Sequence, residues 1–253
     1  MSNKKIYFFS DVHLGLKSPE EEKLKERRVI DFLRYIAADA EKIFILGDLF
    51  DCWIEYRKVV PKGYFRLLSA LNEIVESGIE INFLSGNHDF WLNSYLRDEV
   101  GLKIFYESYS LSEGEKKYFL VHGDGLSRGD LGYKIIKKIL RSRTNQFLYS
   151  LIHPDLGIAL AQSSSRKSRG YTNDKTFGAK DGMKEYAEAR IDEGYDYVIM
   201  GHVHRPQQIE ILTGNGNKGY FVILGDWIKH DSYGVSLNGN FQLKYWEKIK
   251  NAG

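Results

Sequence analysis

Residues 81–91 read INFLSGNHDFW: a short, mostly apolar run meets a glycine and then three polar groups, Asn87, His88 and Asp89. A strand that stops on an amide, an imidazole and a carboxylate is delivering polar groups to the place where the backbone leaves a sheet. The same unit recurs along the chain. KIYFFSDVH ends in Asp11 and His13, and KIFILGDLFD in Asp48 and Asp51. KYFLVHGD ends in His122 and Asp124, YVIMGHVH in His202 and His204, and YFVILGDW in Asp226 and Trp227. The apolar runs do not alternate, as expected for strands covered on both faces.

Helical patterns separate the first of these strands. Residues 20–40 carry apolar positions at 24, 29, 32, 33 and 36 behind an acidic first turn. Residues 63–78 repeat at 64, 67, 68, 71, 74 and 75 and close on Gly78, a C-terminal stop signal. Strand, helix, strand, helix, strand predicts a βαβ beginning. In such sheets ligands sit beyond the carboxyl ends of the strands, where all the polar tips lie. The last segments, YGVSL and FQLKYW, flank NGN with hairpin spacing and predict antiparallel additions.

The composition is that of one globular domain: 253 residues, 43% hydrophobic and 28% charged. The start of the chain lacks a signal-peptide pattern, no apolar run is long enough to span a bilayer, and Cys52 is the single cysteine. A cytoplasmic protein is expected. The net charge of +2 is unevenly spread: residues 125–180 hold eleven Lys or Arg against three acids, leaving that segment at +8 and the rest at −6. Such asymmetry is the footprint of an anionic partner or of a solvated helix face.

Five of the seven histidines (13, 88, 122, 202 and 204) occupy strand-end tips. One such histidine is ordinarily satisfied by a backbone bond. A buried ring of Asp, Asn and His is costly unless cations neutralise it. With imidazoles and carboxylates but no thiolate, the ligand set favours Mn, Fe, Zn or Co. Two such ions ~3.5–4 Å apart activate water and clamp phosphoryl oxygens.

Asp11-Val-His13, Gly47-Asp48-Leu-Phe-Asp51, Gly86-Asn87-His88-Asp89, His122-Gly-Asp124 and Gly201-His202-Val-His204 resemble, in order, the five motifs of the calcineurin-like metallophosphoesterases. The resemblance implies a four-layer α/β/β/α sandwich within the α/β class. It implies that Asp11, His13 and His204 hold one metal, that Asp48 bridges, and that Asn87, His122 and His202 hold the other. Two divalent ions are implied, with manganese expected. Asp51, Asp89 and Asp124 are expected to orient histidines or brace loops.

The interval between His122 and His202 should choose the substrate. Its first part has apolar residues at 131, 135, 136, 139, 140, 147, 148, 151 and 152, a stripe broken near Thr144. Lys134, Lys137, Lys138, Arg141 and Arg143 lie among them. Core packing, nucleic-acid binding and an acyl or membrane surface are the competing readings. HGDGLSRGDLGY, SSSRKSRGYTNDK and the C-terminal YFVILGDWIKHDSYGVSL resemble the UDP-2,3-diacylglucosamine pyrophosphatases of lipid A synthesis. That resemblance implies a single domain over 1–253 with a basic, amphipathic helical lid at 125–180. It implies water attack on the α-phosphorus of a UDP-linked diacylated glucosamine, giving UMP and 2,3-diacylglucosamine 1-phosphate. Substrate contacts then fall on Asn87, Asp130, Tyr133, Ser168, Thr172, Lys175 and His202. Peripheral contact with the anionic inner-membrane surface is expected, and nucleic acid is not. Well-known members of that family carry arginine where this chain has His88, which is taken as the catalytic residue: a histidine can protonate a leaving group near pH 7, whereas an arginine acts by charge. Rival readings are a hydrolase of soluble nucleotides or dinucleoside polyphosphates, a nuclease, and a scaffold that has lost catalysis. The last is disfavoured because every ligand position is filled.

Overall fold

A computed structural model describes residues 4–126, 131–173 and 176–247. β1 (Lys5–Phe9), β2 (Ala40–Leu46), β3 (Glu80–Leu84) and β4 (Lys103–Phe105) lie parallel and adjacent. The crossovers are α1 (Pro19–Ala37) and α2 (Phe65–Glu76), and a short α3 (Tyr95–Asp98) leads into β4. Ser18 and Glu21 form a capping box at the start of α1, with Pro19 in the first turn, where its missing N–H costs nothing. The buried face of α1 is Val29, Phe32, Leu33 and Ile36, as expected. Leu24 departs from the expected stripe: it is 66% exposed, and the buried positions of that turn are Lys25 and Glu26.

The second sheet is built from β5 (Ser108–Glu113), β6 (Lys116–Val121), β7 (Tyr197–Met200), β8 (Gln207–Leu212) and β9 (Lys218–Ile223). Its order is β5-β6-β7-β9-β8, with β6, β7 and β9 parallel. The expected hairpin, β10 (Ser232–Leu237) and β11 (Asn240–Tyr245), returns to the first sheet and pairs antiparallel with β1. Asn238 and Gly239 turn it with φ of 53° and 81°, the left-handed pair that a tight hairpin requires. Between β6 and β7 the chain forms α4 (Leu131–Leu140), α5 (Arg143–Ser150), α6 (Pro154–Asn173) and α7 (Thr176–Asp192).

Alternating strand residues build the layers. Ile6, Phe8, Phe44 and Leu84 meet Tyr118, Leu120, Ile199 and Val222 between the two sheets. Burying each large side chain there contributes on the order of 2 kcal/mol. Tyr7, Phe9, Ile43 and Phe83 face the opposite way, under α1 and α2. Phe119, Val198, Met200 and Phe221 on the outer face of the second sheet pack against Met183, Ala187 and Ile191 of α7. This is an α/β/β/α sandwich.

The three helices before α7 are different. Ile135, Ile136, Ile139, Leu140, Phe147, Leu148 and Leu151 are between 46 and 69% exposed. The apolar stripe is therefore not core. Its break falls between Leu140 and Arg143, where α4 ends, and Thr144 lies inside α5. The helices are seated by a small cluster in which Cys52, Ile54, Tyr56 and Trp91 meet Phe90, Tyr149 of α5, and Ile158 and Ala161 of α6. Phe90 and Trp91, which follow the polar tip of β3, thus serve as that seat. Among the described residues, no helix is long and apolar enough to cross a membrane.

Candidate metal centre

The parallel triplets β1-β2-β3 and β6-β7-β9 release their polar tips at the carboxyl ends of the strands, and the tips converge where the sheets meet. Backbone bonds tie them together: Asp11 N–H donates to Gly47 O at 3.1 Å, Gly201 N–H to His122 O at 3.0 Å, and Trp227 N–H to Asp11 O at 3.1 Å.

Two carboxylates are aimed by backbone amides. Asp11 Oδ2 accepts from His202 N–H at 2.9 Å, and Asp48 Oδ1 accepts from His88 N–H at 2.9 Å. Their other oxygens face imidazoles. Asp11 Oδ1 lies 3.7 Å from His13 Nε2 and 3.5 Å from His204 Nε2, and those nitrogens are 3.2 Å apart. A triangle with such edges has a centre ~2 Å from each corner, the length of a metal–nitrogen or metal–oxygen bond. Asp11 Oδ1 is buried with no hydrogen-bond partner, which a cation would supply. Asp48 Oδ2 lies 3.3 Å from His122 Nε2 and 3.7 Å from His13 Nε2, between the two groups. Asn87 Oδ1 faces His122 Nε2 at 3.1 Å and His202 Nδ1 at 3.0 Å. Two of the ligand groupings the fold assembles are Asp11-His13-His204 and Asp48-His122-His202. A third, His13-Asp51-His88, shares His13 with the first. The donor set fits divalent ions held by nitrogen and oxygen.

The backbone is bent to achieve this. Asp11, His13, Asp48 and His202 have φ of 54°, 49°, 54° and 66°, a left-handed conformation that non-glycine residues adopt at a cost of ~1–2 kcal/mol each. Gly86 has no room for a side chain: a Cβ there would overlap Asp48 Oδ1. Asp89 braces the same turn, accepting from Gly86 N–H at 2.8 Å, Asp48 N–H at 3.1 Å and Phe50 N–H at 3.3 Å.

Outer carboxylates face the far nitrogens of the histidines. His13 Nδ1 is 3.5 Å from Asp51 Oδ1, and His204 Nδ1 is 3.5 Å from Asp226 Oδ2. This arrangement orients a ring and raises its basicity as a ligand. His122 Nδ1 donates to Leu46 O at 2.7 Å, directing Nε2 inward.

Burial pushes the Asp48 carboxyl up, but His122, His88 and His13 outweigh it and hold it well below the usual carboxylate range. Burial likewise disfavours charge on His122, yet Asp48, Asp11 and Asp124 push it up to about 10. His202, buried beside that ring, is pushed down to about 4. Burial and the neighbouring Asp48 raise Asp89 to about 6. A proton on His122 thus partly neutralises the buried carboxylates when no metal does.

His88 Nδ1 donates to Asp51 O at 3.0 Å, which places the lone pair of the neutral ring on Nε2. Burial lowers its pKa, with Asp48 opposing, which favours the neutral form of the ring.

All seven residues expected as ligands (Asp11, His13, Asp48, Asn87, His122, His202 and His204) meet at this site. Of the expected substrate contacts, Asn87 and His202 are here. Asp130 and Lys175 lie outside the described residues, as do the side chains of Tyr133 on α4 and of Ser168 and Thr172 on α6. Sequence reasoning gave Asp226 no role, although it ends a strand like the others. Besides facing His204, it accepts from His230 Nδ1 and from the backbone of residues 228–230. It also missed Lys25, which is buried and donates to His13 O at 2.6 Å. A lysine inside a charged helical run looks like a solvated face, so no sequence signal marks it.

The family model of the calcineurin-like phosphoesterases matches residues 4–206. A protein of Porphyromonas gingivalis named UDP-2,3-diacylglucosamine hydrolase is 34% identical over 249 residues, covering 91% of this chain and 93% of that protein. A protein of the same name from Ectopseudomonas mendocina is 32% identical, covering 88% of this chain and 90% of that protein. One from Nitrosococcus oceani is 29% identical, with 87% and 86% covered. With a match that takes in every strand-end ligand but none of the hairpin that follows, the chain belongs to the calcineurin-like phosphoesterase family.

Proposed function

We propose that the chain hydrolyses the pyrophosphate of UDP-2,3-diacylglucosamine at a dinuclear centre, the lipid A pathway reaction named for its relatives. The observation that carries this reading is the bare apolar face of α4 and α5 beside a site built for phosphoester chemistry. A hydrolase of soluble nucleotides has no use for Ile135, Ile139, Phe147 and Leu151 in water.

In this reading Asp11, His13 and His204 would hold one ion and Asn87, His122 and His202 the other, with Asp48 shared between them and manganese the expected metal. Bound there, such ions would supply an activated water and neutralise phosphoryl charge. The water oxygen bonds to the α-phosphorus while the bond from that phosphorus to the bridging oxygen breaks. UMP keeps the new oxygen, and 2,3-diacylglucosamine 1-phosphate departs. The chain's own part is orientation: the amides of His202 and His88 aim Asp11 and Asp48, and Asp51 and Asp226 face the outer nitrogens of His13 and His204. A leaving phosphate beside His88 favours its imidazolium form, which stabilises the departing oxygen with a proton on Nε2 while Nδ1 stays anchored to Asp51 O.

The helical segment read from the sequence as a lid at 125–180 receives the acyl chains, and Asp130, Tyr133, Ser168, Thr172 and Lys175 belong to the same proposal as polar substrate contacts. Residues 176–180 open α7, which packs on the second sheet, so α4 to α6 are the part that serves the substrate. Exposed Lys138 and Arg143 beside the apolar face suit an anionic membrane surface, approached from the cytoplasmic side.

The test offers the purified protein, loaded with Mn²⁺, UDP-2,3-diacylglucosamine, diadenosine tetraphosphate and an aryl phosphate. Rapid turnover of the lipid is expected, with ¹⁸O from labelled water appearing in UMP. Turnover of the aryl phosphate with none of the lipid sinks the proposal.

A further inference from the structure

Two basic residues at the end of α4 are used inward. Lys137 lies in the last turn of α4, and Arg141, the residue just past its end, sits one turn further on, with its N–H donating to Lys137 O at 2.9 Å. Lys137 Nζ lies 2.7 Å from Asp124 Oδ2 and 3.5 Å from Asp124 O. Arg141 forks: Nη2 donates to Gly86 O at 3.1 Å and Nη1 to Tyr106 O at 2.8 Å. Its guanidinium carbon is 5.9 Å from the centre of the Phe90 ring.

The places gripped are specific. Gly86 immediately precedes Asn87, and Asp124 follows His122 by two residues. Asn87 and His122 face each other at 3.1 Å, and His202 joins them at Asn87 Oδ1. Arg141 spans the turn bearing Asn87, with Gly86 O at one end and Phe90 at the other. The other group is held by different means: the His202 amide on Asp11, Lys25 on His13 O, and Asp51 and Asp226 facing His13 and His204.

We propose that Lys137 and Arg141 are positioning residues for the Asn87–His122–His202 metal position, so that docking of α4 sets the geometry of one metal position and leaves the other alone. This rests on the metal reading above and extends it to two residues that touch no ligand atom.

Electrostatics makes the test decisive. If the two cations acted only by charge, removing them would strengthen binding of a nearby metal ion, because like charges repel. Positioning predicts weakening. The full-length protein is stripped with chelator and titrated with Mn²⁺, following the free ion by electron paramagnetic resonance. Titrations use two backgrounds: His204→Ala, which leaves the Asn87–His122–His202 position, and Asn87→Ala, which leaves the other. Adding Lys137→Met and Arg141→Met should weaken Mn²⁺ binding about tenfold in the first background, the scale of losing an outer support. In the second it should change less than about twofold on the same scale. Arg141→Lys keeps the charge but cannot fork across two carbonyls, and should weaken binding in the first background too. Circular dichroism and the thermal midpoint establish that each variant is folded. Unchanged or tighter binding in the first background, or equal weakening in both, overturns the proposal. A wild-type stoichiometry below two overturns the metal reading and this inference with it. A stoichiometry of two with no selective loss overturns this inference alone.

Discussion

The body of the molecule and the three helices inserted between β6 and α7 treat the same residue types in opposite ways. In the body, apolar residues are covered from both sides: Phe8, Phe9, Phe44 and Phe83 are fully buried, and polar residues are concentrated where the strands end. Ile135, Ile136, Ile139 and Leu140 of α4 and Phe147 and Leu148 of α5 face water, while Lys137 and Arg141 reach in to the body. A protein surface ordinarily sets charge outside and apolar groups inside. In the proposed reading, a lipid substrate and a membrane surface are what would cover the insertion. The body orders its own site, down to carboxylates aimed by backbone amides.

The largest expected effect lies in the body. Asp48→Asn keeps the shape and leaves an acceptor for the His88 amide, but removes the charge facing both His13 and His122. Turnover of every substrate should fall by at least about a thousandfold, as when one member of a cooperating set is lost. Steady-state rates on the diacylated substrate and on an aryl phosphodiester check this, and a selective loss on one of them breaks the comparison. The same site should show a proton cost. His122 in the metal-free protein stays protonated up to about pH 10, so its favourable pairing is fully present below the ordinary histidine value and is lost as pH rises through about 10. Metal uptake at pH 8 should therefore release protons, measurable with a pH indicator.

Next comes His88. Its removal should slow turnover about a hundredfold, within the range of lost general-acid help, while Mn²⁺ stoichiometry stays unchanged. Loss of an ion in His88→Ala would instead assign His88, with His13 and Asp51, to the ligands.

Ile136→Glu with Ile139→Glu probes the insertion. Placing charge on an apolar contact forfeits ~2 kcal/mol, near thirtyfold. That loss should appear in KM for the diacylated substrate and in binding to anionic vesicles, with the aryl phosphodiester rate unmoved. Equal loss on both substrates would mean that α4 serves the body's chemistry and not a lipid.

How far the sequence could be read follows the same division. Buried strands, polar tips and left-handed bends are local, so Asp11, His13, Asp48, Asn87, His122, His202 and His204 were all visible in short motifs. The hairpin turn at Asn238-Gly239 was visible for the same reason. The insertion was legible as helix but not as surface, since a stripe at helical spacing looks the same whether covered or bare. Lys137 and Arg141 read as a solvated or anion-seeking face because their partners, Asp124 and the Gly86 carbonyl, are distant in the chain. Leu24 misled in the other direction. Helical periodicity put it inside, but tertiary bonds from Lys25 to His13 O and from the Leu67 amide to the Glu26 carboxylate turned the helix to bury its charged neighbours.

The smallest effect is expected at Asp226, and it separates the two metal positions from the side opposite α4. One oxygen of Asp226 accepts from the backbone of residues 228–230 and from His230, and the other stands 3.5 Å from His204 Nδ1. Asp226→Asn can keep the turn with its remaining oxygen while offering His204 an amide in place of a carboxylate. The ring loses the charge that raises its basicity, and the ion it shares with Asp11 and His13 should bind about tenfold more weakly. The Asn87–His122–His202 position should be unaffected, the reverse of the pattern expected for Lys137 and Arg141. Manganese titrations of Asp226→Asn in the Asn87→Ala and His204→Ala backgrounds read both at once. Were the two positions to weaken together, the site would be a single coupled unit, and neither Asp226 nor α4 would have its own metal to govern.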